Sequence, residues 1–363
     1  MADHKMDPRT DALRSDFISH IRIVMMVVIS VITILVFTAY YVEPMHGELT
    51  RLGGYSERDF GGTIPQKMIP PGQSLPNRFD RYYDMLVVGD SFSRSGLWQS
   101  FVQAETGFSF TTLDVFTTSL DELLSSPRFQ QDPPKVMVVE LGERGLVPKF
   151  ANLGGACPEG ARIQNPGLIP EVAAGGTIAA RTVKFEERAR PRTPEWSDIN
   201  LKFSFMVIQQ SLTRWLLGHD FSQVSKLPLS RTELFSNRRS GEILLFAEDF
   251  SKTRWAPEQV SAAGCMLRKL QDRVQANGKT RFVFLLIPDK TNAYSEFIQD
   301  DRVRRMPKTY PVLAEIGVNV PRLDVALTAA ISSGEVDVYL PNDTHFGTRG
   351  YELTARTLLH ALR

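Results

Sequence analysis

The chain has 363 residues and only two cysteines, Cys157 and Cys265. No Cys/His spacing of the kind that closes a zinc site accompanies them. Neither a Gly-x-Gly-x-x-Gly turn nor a Gly-Lys-Ser/Thr phosphate loop occurs, so the sequence calls for no metal and no cofactor. Charge of one sign is also missing. Forty-two Lys and Arg stand against 41 Asp and Glu, a net +1, which gives no basic field of the sort that nucleic acid requires. Histidine is scarce, six in all, and that scarcity narrows the choice of a general base.

What is present begins with a membrane signal. Residues 1–22 are polar and carry Lys5, Arg9, Arg14 and Arg22. Residues 23–42 then run apolar and uncharged for about twenty positions, enough to cross a bilayer as a helix. A cleavable signal peptide has a shorter apolar core and an Ala-x-Ala site, which Val36-Phe37-Thr38-Ala39-Tyr40-Tyr41 lacks. Tyr40 and Tyr41 suit an interfacial belt. Arg22 on one flank, with Glu43 and Glu48 on the other, places the N-terminus in the cytoplasm and the remainder outside, in the periplasm of a Gram-negative host. The expected organisation is a cytoplasmic tail (1–22), a single-pass anchor (23–42), a Gly/Pro-rich linker or lead-in (43–80) that spaces the site from the membrane, and a catalytic domain (81–363).

In that domain strands and helices alternate. The pattern predicts strands over 84–89, 108–113 and 135–141, with helices over about 97–106 and 119–126 between them. After a break come a helix over 257–276, a strand over 281–287, a helix near 307–316, a strand around 318–320, and helices over 322–332 and 351–362. This is the pattern of an α/β fold with a doubly wound parallel sheet flanked by helices. The apolar 42% of the chain is enough for a large core. Residues 145–250 break the alternation and read as an insertion. Within it, 202–217 is apolar at helical spacing and is expected to pack on the core. Cys157 in a Gly-rich loop and Cys265 in a helix leave two readings open, a disulfide in an exported protein or two buried thiols.

The chemistry centres on Met85-Leu86-Val87-Val88-Gly89-Asp90-Ser91. An apolar run ends abruptly in Gly-Asp-Ser and a helical pattern follows, so Ser91 stands where a strand turns into a helix. Ligands of open α/β sheets bind beyond the carboxyl ends of the strands. A serine nucleophile needs a base and an orienting acid. Leu340-Pro341-Asn342-Asp343-Thr344-His345 supplies both on a loop entering the last helix. The remaining histidines fall before the membrane run (His4, His20), just after it (His46), in a stretch without strand-turn context (His219), or inside the final helix (His360). The candidate triad is therefore Ser91, His345 and Asp343.

Gly-Asp-Ser near the start of a domain and Asp-x-His near its end resemble the SGNH/GDSL hydrolase superfamily. The segment Pro133-Pro134-Lys135-Val136-Met137-Val138-Val139-Glu140-Leu141-Gly142-Glu143-Arg144 is similar to the segment after the nucleophile in periplasmic alginate O-acetyltransferases. Leu234-Phe235-Ser236-Asn237-Arg238 and Leu286-Ile287-Pro288-Asp289-Lys290 are similar to that group as well. In the alginate enzymes the Asp-x-His pair precedes the serine; here the serine comes first, the ordinary SGNH order. No Gly-x-Asn-Asp follows the strand ending at Leu141. The oxyanion hole then falls to the Ser91 N–H and to a second group, for which Arg144 is the candidate. Lys290 and Tyr294, just past the 281–287 strand, are expected to line the cleft.

The resemblance implies an SGNH-like domain that transfers acetyl groups to hydroxyls of an exported polysaccharide through an acyl-serine. It also implies a membrane-bound O-acyltransferase partner that supplies acetyl across the membrane. An exported carbohydrate esterase would use the same three residues, with water exclusion deciding between the two. A third reading is a non-catalytic assembly or glycan-binding protein on the same fold.

Overall fold

The structure is a computed structural model that describes residues 8–41, 47–68, 77–151, 157, 186–187, 201–218 and 223–363. Its centre is a parallel sheet of four strands, β1 (Met85–Gly89), β2 (Phe110–Asp114), β3 (Val136–Gly142) and β6 (Arg281–Ile287), in the order β2-β1-β3-β6. A separate antiparallel pair joins β4 (Val224–Pro228) to β5 (Glu242–Phe246). The parallel strands read as unbroken apolar runs because helices cover both of their faces. Met85, Val87, Val136, Val138, Val283 and Leu285 point to one side. There they meet α4 (Leu97–Thr106), α9 (Leu323–Ser332) and α10 (Thr348–Leu362). Leu86, Val88, Met137, Val139, Phe282 and Phe284 point to the other. They meet α5 (Leu146–Phe150), α7 (Pro257–Gln275) and α8 (Thr309–Ile316). The α/β fold with a parallel sheet flanked by helices is thus as expected.

Residues 318–320 are the exception among the expected strands. Val320 N–H donates to Val318 O across a three-residue turn (2.9 Å), so pairing cannot propagate. Asn319 instead caps the edge of β6, its O accepting from Phe284 N–H and its side-chain amide donating to Phe282 O. The final helix follows the rule of a covered face: Tyr351, Ala355, Leu358, Leu359 and Leu362 recur at helical spacing and are buried.

Of the 145–250 stretch, 152–156, 158–185, 188–200 and 219–222 lie outside the described residues, and so do the Gly-rich loops and His219. Cys157 is joined to Cys265 on α7 by a disulfide across a sequence separation of 108. The two ends of the stretch are part of the core: Leu146, Val147 and Phe150 lie under one face of the sheet and Ile243 and Leu245 under the other.

At the N-terminus, α1 (Pro8–Tyr41) is one continuous helix that starts well before the apolar run. Within it Asp16–Thr38 is long and apolar enough to cross a membrane, as an anchor or a signal sequence would be. Two expectations need correction here. The lead-in after residue 43 is not simply a spacer, because α2 (Glu48–Gly53) sits against the β4–β5 pair, and Leu49 together with Tyr55 and Phe60, which follow the helix, is buried in a small core with Val224 and Leu244. And α6 (Leu201–Leu217) does not pack on the central core. It packs beside α1 and α2 and leaves apolar side chains exposed.

Candidate active site

β1 delivers Ser91. The chain leaves the strand at Gly89, where an added Cβ would stand 2.5 Å from Ser93 Oγ and 2.6 Å from Glu140 Oε2, so only glycine fits. Asp90 caps the short helix α3 (Ser91–Arg94). Its Oδ1 accepts from Phe92 N–H (2.9 Å), its Oδ2 from Gly142 N–H at the end of β3 (2.7 Å), and its own N–H donates to Glu140 Oε2 (3.0 Å). Asp90 thus straps the Ser91 turn to the neighbouring strand. Glu140 also accepts from Ser93 Oγ (2.6 Å) and is wholly buried. Burial, then the Asp90 charge, pushes its carboxyl well above the usual range. Ser91 is the first helical residue, and its N–H has no hydrogen-bond partner among the described residues. That leaves it open to an oxyanion forming at the Ser91 acyl carbon.

The loop that carries Asp343 and His345 is held from three sides. Tyr339 and Phe346 bridge across it, and Leu340 N–H donates to His345 O (3.0 Å). Lys290 Nζ reaches in from below and donates to Leu340 O (2.8 Å), Pro341 O (3.0 Å) and Asp343 O (3.3 Å). From above comes the first turn of α2. Leu49 and Thr50 N–H donate to Asn342 O (3.0 and 3.3 Å), and Glu48 N–H to Asp343 Oδ2 (3.1 Å). Gly47 allows the approach, since a Cβ there would fall 2.1 Å from Asn342 O. Thr344 Oγ1 donates to Glu48 Oε2 (2.5 Å).

Held in this way, His345 Nδ1 lies 2.7 Å from Asp343 Oδ1 and Nε2 lies 2.8 Å from Ser91 Oγ. The ring rests on Phe92, 4.8 Å between centroids. The hydrogen-bond pattern assigns the Nδ1 proton to the bond with Asp343 and leaves Nε2 to accept from the serine hydroxyl. Burial pulls the imidazole pKa down, but Asp343, Glu48 and Asp90 outweigh it and raise it above the ordinary value. Burial pushes the Asp343 carboxyl up, and the bonds from His345 and Glu48 N–H more than offset this, so it stays below the usual range. Neutral His345 is the form that accepts a proton, so an activity that needs it falls as pH drops through this raised pKa. Glu48, whose carboxylate stands 3.9 Å from His345 Nδ1, contributes to that rise. Glu48→Gln is therefore expected to move the acid limb of kcat/KM to lower pH while keeping an oxygen for Thr344. A pH–rate profile of the two proteins checks it, and an unmoved or upward-shifted limb contradicts it.

Glu48, Asp343 and His345 each carry a ligand atom within 4.8 Å of the others, a spacing that a metal ion also tolerates. Their atoms are already engaged, however: Nδ1 by Asp343, Nε2 by Ser91, and Glu48 by Thr344.

Arg144 stands at the end of β3, but its bonds run to Asp249 Oδ1 and Asp289 Oδ1 (3.2 Å each), and it covers the Phe246 ring. With Lys252, which lies 2.7 Å from Asp289 Oδ2 and 3.2 Å from Glu143 Oε2, it completes a buried cluster of three carboxylates and two cations. Burial and then the Asp289 charge raise the Asp249 carboxyl to about 7. Asn292 and Thr309 add bonds to Glu143. A groove of about 750 Å³ opens beside this cluster, lined by Glu143, Asn292, Thr309, Tyr310 and Arg322 among others.

The structure thus brings Ser91, His345 and Asp343 together, and sets Arg144 in an adjoining cluster. Lys290 and Tyr294, expected to line the cleft, lie beneath it. The turn of helix that begins at Lys290 aims both side chains inward. Lys290 is 2% exposed, and burial takes its pKa down to about 7 against the pull of Asp343, Asp337 and Asp249. Tyr294 is fully buried, stacked on Phe235, and its hydroxyl accepts from Tyr339 N–H. Sequence reasoning missed Glu48, Asp90 as a strap, and Lys252. Only Asp90 carried a local signal, as the residue that caps the turn before Ser91.

Residues 244–363 match the family model of an SGNH hydrolase-like domain, acetyltransferase AlgX. Comparison with curated proteins and with solved structures finds no match. The AlgX-like part begins in β5 and takes in α7, β6, the Lys290 turn and the loop of Asp343 and His345, whereas Ser91 precedes it. The SGNH-like domain supports an activity of the acetyltransferase or esterase type.

Proposed function

We propose that this chain is a membrane-anchored O-acetyltransferase that acetylates hydroxyls of an exported polysaccharide through an acyl-serine intermediate. The observation that carries the reading is the unbroken chain Ser91 Oγ–His345 Nε2, His345 Nδ1–Asp343 Oδ1, at 2.8 and 2.7 Å. The AlgX-like domain supports acetyl as the group moved. The apolar helix α1 supports an anchor, with the N-terminus cytoplasmic and the catalytic domain outside, periplasmic in a Gram-negative host. Catalysis is assigned to residues 81–363, with Glu48 of the lead-in bonded to the loop that carries Asp343 and His345.

In the first half-reaction the Ser91 hydroxyl gives its proton to His345 Nε2 as Oγ bonds to the acetyl carbonyl carbon. The oxyanion is met by Ser91 N–H. The bond to the leaving group then breaks, and His345 returns the proton to it. In the second half-reaction a sugar hydroxyl gives its proton to His345 and attacks the acyl carbon. Ser91 leaves and takes the proton back. Asp343 stabilises the imidazolium in both halves. The donor side fits a membrane-bound O-acyltransferase partner that presents acetyl at the outer surface. Water in place of the sugar hydroxyl makes the same residues an acetylesterase.

The test uses the full chain in detergent micelles with p-nitrophenyl acetate, read by intact mass and peptide mapping. The expected result is an acetyl adduct on the Ser91 peptide. Adding polysaccharide fragments should then discharge it onto the glycan. Discharge as free acetate, undiminished by glycan, makes the protein an esterase. Absence of any adduct on the folded wild-type chain defeats the acyl-serine reading.

A further inference from the structure

The helix α6 has two unlike faces. One is turned to α2. Gly54 lies against Val207 and Gln210, Arg214 donates to Gly53 O, and the Arg214 guanidinium covers the Tyr55 ring at 4.2 Å. The other face carries Phe205, Leu212, Trp215 and Leu216, spaced seven, three and one apart, so that they share one side of the helix. These side chains are exposed, Trp215 by 79% and Leu216 by 66%. An exposed apolar stripe of this kind signals something that covers it.

The position of α6 says what that is. α6 packs against α1. From Asp16 to Ile34 the side chains of α1 are exposed, and the half-buried ones are Leu35, Val36 and Thr38, near its C-terminal end. α6 therefore meets the apolar helix at the level where it leaves the bilayer. That is the depth at which tryptophan and amphipathic helices are most stable. The tether on the other side is short. Glu48 follows Tyr41 by only a few residues, a reach of at most about 25 Å, and Glu48 N–H is already bonded to Asp343. The stretch after α1 therefore cannot hold the site far from the membrane.

We propose that α6 lies in the outer interface of the lipid bilayer with Phe205, Leu212, Trp215 and Leu216 among the acyl chains, so that α1 and α6 together hold the Ser91 site against the membrane surface. The proposal rests on the reading of α1 as a membrane-spanning anchor. An acyl donor presented at the membrane surface then meets Ser91 without leaving that surface.

The test is quenching by lipid. The full chain is reconstituted in vesicles of phosphatidylcholine and phosphatidylglycerol, with and without brominated acyl chains. Flotation of the vesicles reports α1. Tryptophan emission reports α6, by comparing the wild type with Trp215→Phe, because Trp98, Trp196 and Trp255 also emit. Trp215 is mostly exposed, so its replacement leaves the fold in place. Bromolipid should quench the wild type, and Trp215→Phe should cut the quenchable emission at least about threefold while still floating. Equal quenching of the two proteins overturns the proposal. So does a Trp215 signal quenched by aqueous iodide as fully as a free side chain, or one shielded from both quenchers, which means that protein covers it. A chain that does not float refutes the anchor itself.

Discussion

Ser91→Ala is expected to lower kcat/KM for acetyl transfer by roughly 10⁴–10⁶-fold and to abolish the acetyl adduct. The loss is chemical rather than structural. The described side-chain bond of Ser91 runs to His345 Nε2, and the turn is held by Asp90, Glu140 and Gly142 through groups that the substitution leaves alone. His345→Ala should cost a similar factor, and the double variant little more than either one, because nucleophile and base act as a unit. Stopped-flow acylation with p-nitrophenyl acetate and circular dichroism of each variant make the measurement. A folded Ser91→Ala protein within tenfold of the wild type would rule out the serine as nucleophile. Costs that multiply in the double variant would rule out the pairing.

Lys252→Met is expected to destabilise the fold by about 3–5 kcal/mol, the usual result of stripping the partner from a buried charge. Lys252 is fully buried, and Asp289, Glu143 and Asp249 hold its pKa up against burial. Without it three buried carboxylates face Arg144 alone, and the already raised carboxyls of Glu143 and Asp249 rise further. A buried carboxyl with a raised folded pKa carries its penalty only where it is ionised. The loss should therefore be full above the raised values, near 7 already for Asp249 in the wild type, and shrink as pH falls below them. Urea unfolding at about pH 8.5 and about pH 6 reads this. Glu143→Gln in the same background should restore part of the loss by removing one charge. A variant as stable as the wild type at both pH values would mean that the cluster does not hold this end of the sheet.

Much of the fold was legible because its strands are buried on both faces. A strand such as Met85–Gly89 has no polar side to present, so it stands out as an apolar run. Gly-Asp-Ser and Asp-x-His were legible for a related reason: each is a local turn whose geometry is set by adjacent residues. The strand expected at 318–320 failed because periodicity does not register a three-residue turn that bends the chain away from its neighbour.

By itself the sequence determined the parallel sheet, the apolar N-terminal helix and the identity of the two loops that carry Ser91, Asp343 and His345. Only the tertiary structure decided that these loops meet, because the Ser91–His345 bond joins residues 254 apart and no local pattern encodes a distance. It also decided which way a side chain faces. Lys290 and Tyr294 follow the end of β6 as a cleft residue would, yet one helical turn points them under the loop. Glu48 entered the site from 295 residues away, out of a stretch that reads as linker. An amphipathic period along 201–217 announces an apolar face, but what that face lies against is fixed by neighbours that the period does not contain.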